Sequence, residues 1–151
     1  MINGGQPMNT NVNLEKVQAD AVDIFNSGFA CSESIIYSIK KNFDVTIPED
    51  AIAMSSGFPW GLGSGCICGA LAGGTMSLGY FFGRRNPGES QDKIFETTKK
   101  LHHEFKKNHG STCCRILTKN YEATSPKRKQ HCTSIVGSTA SYTALLIMRS
   151  L

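Results

Sequence analysis

The sequence predicts an all-α, single-domain helical bundle built around a central glycine-rich helix. Three observations carry this. Apolar residues recur at helical spacing in nearly every segment, and no credible alternating strand appears. The uncharged run from Ala51 to Phe82 ends in a stretch, WGLGSGCICGALAGGTMSLGYFFG at 60–83, whose second half is apolar on almost every side. A helix of that kind belongs inside a core, with small residues at Gly69, Gly73 and Gly74 admitting a neighbouring backbone or an inorganic cofactor.

Residues 1–12 read as a flexible polar N-terminal tail and 13–151 as the one helical domain. Asn13 can cap a first helix in which Leu14, Val17, Ala21, Ile24 and Phe25 share a face, with Gly28 as its stop. Cys31 to about Phe43 forms a second helix, and Cys31, Ile35 and Ile39 fall on one inward row. Thr46 to Glu49 has the form of a capping box, opening a short helix through about Met54. Ser56 to Gly65 is a glycine-rich loop, after which the central helix runs to about Phe82. GRRNPG at 83–88 is a turn.

Glu89 or Ser90 starts a long amphipathic helix with a buried stripe of Ile94, Phe95, Thr98, Leu101 and Phe105, ending at Gly110. Cys113 and Cys114 open a brief helical piece, and a polar loop follows from Lys119 to Lys129. The last helix spans about Gln130 to Met148. Cys132, Ile135, Val136, Thr139, Thr143 and Leu146 lie on its inner face.

Composition narrows the function. At 40% hydrophobic and 19% charged, with a net charge of +4, the chain has an ordinary soluble make-up. Its one tight basic cluster, Lys127 to Lys129, reads as a solvated loop or helix end, and no aromatic-interleaved basic stripe argues for nucleic acid. Serines, threonines and glycines dilute the apolar run too far for a membrane span. No secretory signal is visible, so a cytoplasmic, reducing setting is expected. There, six cysteines point to metal or redox chemistry rather than structural disulfides.

Four segments place a cysteine near a helix start: Cys31, Cys68, Cys114 and Cys132, separated by 37, 46 and 18 residues. There is no C-x-x-C knuckle of a zinc ribbon and no ferredoxin run. If the four thiols meet, helix packing must bring them together. Thiolates so gathered suit a soft centre, iron–sulfur or zinc, and helix N-termini favour the thiolate form. Unrelated core thiols are the competing reading.

CSESII at 31–36, CGALAG at 68–73, the Cys114–Arg115 pair after FKKNHGS and the final Cys132 resemble the C_GCAxxG_C_C family of redox-active proteins, over nearly the whole chain. The resemblance maps that family's four cysteines onto Cys31, Cys68, Cys114 and Cys132. Such proteins are similar to a non-haem domain of split-Soret cytochromes. This implies an electron-transfer protein holding a 2Fe–2S or 4Fe–4S cluster, with zinc as the alternative metal. The chain has no C-x-x-C-H motif, so covalent haem is not implied.

Cys66 and Cys113 fall outside the pattern, Cys66 as a small core residue and Cys113 as a semi-exposed neighbour, or both as alternative ligands or resolving thiols. A thiol–disulfide enzyme or sensor using Cys66–Cys68 or Cys113–Cys114 is therefore a second function, and a structural zinc protein a third. An oxidoreductase activity is compatible with the first two, although no paired carboxylates, triad or phosphate loop are present. Arg115 stands where it could offset cluster charge. His102, His103, His109 and His131 read mainly as packing residues. The small-residue faces of Gly69 to Gly79 and Gly137 to Ala144 raise a homodimer, and electron transfer requires a redox partner protein.

Overall fold

The computed structural model describes residues 7–151, and among these it is all-helical. The elements are α1 (Leu14–Asn26), α2 (Cys31–Phe43), α3 (Glu49–Met54), α4 (Gly69–Phe82), α5 (Asp92–His109), α6 (Cys114–Leu117) and α7 (Pro126–Ser150). The central helix α4 packs on α2, α5 and α7, while α7 lies along α1, α2, α4 and α5. None of the helices is long and apolar enough to cross a membrane.

Local chemistry sets most of the boundaries. Asn13 Oδ1 accepts from the Lys16 amide and starts α1. Glu33 reaches back to accept from the Ala30 N–H at the start of α2. Gly110, at φ 83°, ends α5 in the left-handed conformation that glycine adopts without penalty. Ser125 caps α7 and Pro126 occupies its first turn.

Buried apolar side chains from every long helix form one core, including Val17, Ile35, Ile39, Phe43, Leu78, Leu101, Val136 and Ile147. Polar residues inside it close hydrogen bonds at short range or onto a neighbour. Ser38 donates to the Val17 carbonyl at 2.7 Å, and Ser32 to that of Ser55 at 2.8 Å. Among the described residues no buried side-chain nitrogen or oxygen lacks a partner.

The glycines of α4 work as contact points. A methyl at Gly73 would lie 2.5 Å from the Ser32 carbonyl oxygen, and one at Gly74 would lie 2.7 Å from Thr143 Oγ1 and 2.9 Å from Leu101 Cδ2. Gly137 of α7 meets Val22 and Gln18 of α1. Gly73, Gly74 and Gly137, from the small faces that raised a homodimer, are thus met by residues of this chain, while Gly79 has nothing within 4 Å.

Five details differ from the sequence reading. On α5, Phe95 is 60% exposed, while Thr97 is fully buried beside Leu101 and Phe105, so the inner stripe turns one position further round the helix. Pro48, rather than Thr46, is the N-cap of α3. Helix α4 starts at Gly69 with Cys68 as its cap, and α7 starts four residues earlier than Gln130. Of the tail expected over residues 1–12, residues 1–6 lie outside the described residues. Of the rest, Asn9 pairs with the Phe43 and Asn42 carbonyls and Val12 is buried.

Asp20 ties α1 to α2. Its carboxylate accepts from Lys16 at 2.8 Å, Lys41 at 2.7 Å and Asn42 at 2.9 Å. Partial burial pushes its pKa up, but these three donors outweigh that and bring it down to about 2. A lowered acid pKa stabilises the fold above the unfolded value near 3.8, and the contribution disappears as pH falls through 2. Asp20→Asn should cost about 1 kcal/mol at pH 7, allowing for solvent screening. In urea titrations the gap from wild type should close between about pH 4 and pH 2. Gly73→Ala should destabilise by about 1–3 kcal/mol, since backbone blocks the added methyl. Gly79→Ala, where nothing lies within 4 Å, should be neutral or gain up to about 1 kcal/mol of helix propensity in the same titration.

Candidate functional site

One cavity of about 580 Å³ opens at the end of the bundle where α2, α4, α6 and α7 converge, and Cys31, Cys68, Cys114 and Cys132 all line it. Each arrives by a different local device. Cys31 is the first residue of α2, behind the Gly28 turn. Its sulfur lies directly over Gly69, where any β-carbon would collide with it. Cys68 caps α4.

A short antiparallel bridge brings the next sulfur alongside. Ile67 pairs with Cys113, the Cys68 N–H donates to the Thr112 carbonyl at 2.8 Å, and the Cys114 N–H donates to that of Cys66 at 3.2 Å. Cys68 and Cys114 therefore enter their helices from adjacent extended segments. Cys132 is different. It stands two turns inside α7 rather than at a helix start, because Ser125 and Pro126 begin that helix earlier.

The turn before Cys66 is strained. Trp60, Gly61, Leu62 and Gly63 have φ of 59°, 61°, 60° and 64°, a run of left-handed residues of which two carry side chains. Each of those two costs about 1–2 kcal/mol. Gly61 has no room for a side chain, for a methyl there would lie 2.6 Å from the Cys66 nitrogen and 2.8 Å from Cys114 Cβ. The turn swings Trp60 onto the cavity wall, 53% exposed.

Burial dominates the electrostatics of the sulfurs. It pushes the Cys31 thiol up to about 12, with Cys68 adding to the rise and the Ser32 amide opposing it. Cys68 is pushed up to about 11 by burial, against the amides of Ala70 and Leu71. Cys132 is raised by burial, and Arg128 and Lys129 work the other way. In the metal-free protein these three thiols are neutral at pH 7, and a bound cationic centre would displace their protons.

Two cations stand at the cavity. Arg128 lies over the Trp60 ring at 3.8 Å, donates to the Ala123 carbonyl at 2.9 Å, and points a second nitrogen at Cys114 Sγ, 3.9 Å away. Lys129 donates to the Phe25 carbonyl at 3.0 Å and covers the Phe25 ring. The basic cluster does lie at a helix end, as its composition allows, but at the start of α7 and with Arg128 and Lys129 on the cavity wall. Arg115, which could offset charge at the sulfurs or serve as a surface or capping arginine, donates to the Ser64 carbonyl at 2.8 Å and does not line the cavity.

The remaining candidates lie elsewhere. Cys66 is exposed, and Cys113 turns its thiol to the Gly65 carbonyl at 2.9 Å. His131 bonds the Leu117 carbonyl and stacks on Tyr121, His109 packs on Phe105, and His102 and His103 are exposed. None of these six lines the cavity. Among the described residues, no three His, Cys, Asp or Glu side chains stand close enough to hold a single metal ion as positioned.

Fold and site together define a class: an all-helical protein in which four cysteines, borne by separate helices, line one cavity. The chain belongs to the C_GCAxxG_C_C family, whose model, described as "Putative redox-active protein (C_GCAxxG_C_C)", matches residues 29–146. No curated protein and no solved structure matched it.

Thiol chemistry should follow this geometry. In metal-free protein at pH 8, iodoacetamide should modify exposed Cys66 first, and Cys31 and Cys68 at least about tenfold more slowly. Because both stay below their raised pKa values, their labelling should still accelerate from pH 8 to pH 10. Peptide mass spectrometry over time reads both effects.

Proposed function

We propose that the protein is an electron-transfer protein that holds an iron–sulfur cluster through Cys31, Cys68, Cys114 and Cys132. The observation that supports this most is the sorting of the six cysteines: the four of the family pattern line one cavity, and Cys66 and Cys113 do not.

The donor set and its surroundings fit such a group. Thiolates are the usual ligands of iron–sulfur clusters. The first amides of α2 and α4 face Cys31 and Cys68, where they favour charge on sulfur. A single tetrahedral zinc, with Zn–S bonds of about 2.3 Å, needs four sulfurs nearly in mutual contact. A cluster interposes its own iron and sulfide between the ligands, so it suits thiols that share a cavity without touching. When bound, it supplies one-electron chemistry, and the chain supplies burial, amides and nearby cations that tune its potential.

Anaerobic reconstitution with ferrous iron and sulfide tests the reading. Brown protein with visible absorption that dithionite bleaches is expected, along with comparable iron and acid-labile sulfide. Cys31→Ser, Cys68→Ser, Cys114→Ser and Cys132→Ser should each lose most of that absorption, while Cys66→Ser and Cys113→Ser keep it. About one zinc per chain with no iron would replace the proposal by a structural metal site. A reversible change in free-thiol count without metal would replace it by thiol–disulfide chemistry.

A further inference from the structure

The four sulfurs account for only part of the cavity lining. A volume of about 580 Å³ falls within the range of small-molecule sites, and a cluster of a few iron and sulfide atoms fills a minor part of it. The cavity also reaches solvent, because Phe29 and Trp60, both on its wall, are 44% and 53% exposed.

Charge on the cavity wall is one-sided. Arg128 and Lys129 both line it, and neither forms a salt bridge among the described residues. Their partners include no carboxylate: they are the Ala123 and Phe25 carbonyls, the Cys114 sulfur, and the faces of Trp60 and Phe25. The one carboxylate on the wall, Glu33, is held at the Ala30 amide. Residues from the starts of α2, α4 and α7 line the same space, so three helix N-termini add positive potential. Two cations with no carboxylate partner, one of them over the exposed ring of Trp60, suit an anion carrying a flat apolar body.

We propose that the cavity binds a small organic anion, its acidic group held by Arg128 and Lys129 and its body against Trp60 and Phe29, beside the four cysteines. This rests on the redox reading above, in which the four sulfurs are kept for the cluster and the anion is the small molecule presented to it.

Trp60 is the only tryptophan in the chain, so its emission reports on the site directly. The full chain, both metal-free and reconstituted, is titrated with benzoate as probe, with neutral benzamide as control, by fluorescence and by calorimetry. Saturable benzoate binding to both forms is expected, with benzamide at least about tenfold weaker. Arg128→Gln and Lys129→Gln should each weaken benzoate about tenfold or more, with helical circular dichroism unchanged. Should Arg128→Gln fail to fold, Lys129→Gln carries the comparison alone. Absence of binding, equal binding of benzamide, or unchanged affinity in the folded variants overturns the proposal. Binding to the metal-free form alone overturns it too, since the cations would then serve the cluster. Failure of reconstitution, with benzoate still bound through Arg128 and Lys129, would remove the cluster and leave the anion site standing.

Discussion

The near-contact of two helix backbones at Gly73 and Ser32 is the constraint on which the rest of the structure depends. Helices α2 and α4 approach so closely there that a single methyl would strike the Ser32 backbone. One turn earlier on α4, Gly69 leaves its place to the Cys31 sulfur. The two glycines thus fix both how the helices cross and how far Cys31 stands from Cys68. A larger residue at either position would part the helices and open the cavity where its sulfurs gather. On the adjoining face of α4, Gly74 seats Thr143 and Leu101 and so brings α7, with Cys132, into the same frame.

A second pair of sulfurs depends on extended chain instead. The bridge between Ile67 and Cys113 is too small to count as a strand, yet its two flanking hydrogen bonds set Cys68 beside Cys114. These bonds also explain why Cys113 parts company with Cys114. Side chains alternate along extended backbone, so these adjacent residues face opposite ways. Cys113 turns away to the Gly65 carbonyl, and Cys66 remains exposed outside the cavity.

Helical periodicity made most of the fold legible, because it follows directly from burying one face. The inner row of Cys31, Ile35 and Ile39 and that of α7 below Cys132 read correctly, since both are continuous apolar stripes. Phe95 misled for a physical reason: its size argued for burial, but Thr97 satisfies its own hydroxyl by bonding the Lys93 carbonyl at 2.9 Å and takes the inner position. The start of α7 was missed although Ser125 and Pro126 form a recognisable cap and first turn. That miss mattered for the site. Treating residues 119–129 as loop left Arg128 and Lys129 without a direction, whereas one early turn of helix aims them at the sulfurs and at the rings of Trp60 and Phe25. No local pattern announces such a placement, because it depends on where α1 and the turn before Cys66 end up in space.

That turn shows how strain and site are linked. A left-handed run with Trp and Leu in it opposes the intrinsic preference of both residues. The chain nevertheless has to double back between α3 and Cys66 with Gly61 pressed on the Cys66 amide and the Cys114 β-carbon, and a right-handed turn would carry Trp60 in another direction. The left-handed route puts the indole under the Arg128 guanidinium, which in turn reaches toward Cys114. Contacts of ring, guanidinium and sulfur at one wall therefore offset the backbone cost at the other end of the same five residues. Strain of this sort persists where surrounding contacts over-determine it. Here those contacts are the cavity wall itself, so whatever fills the cavity acts on the turn as well as on the sulfurs.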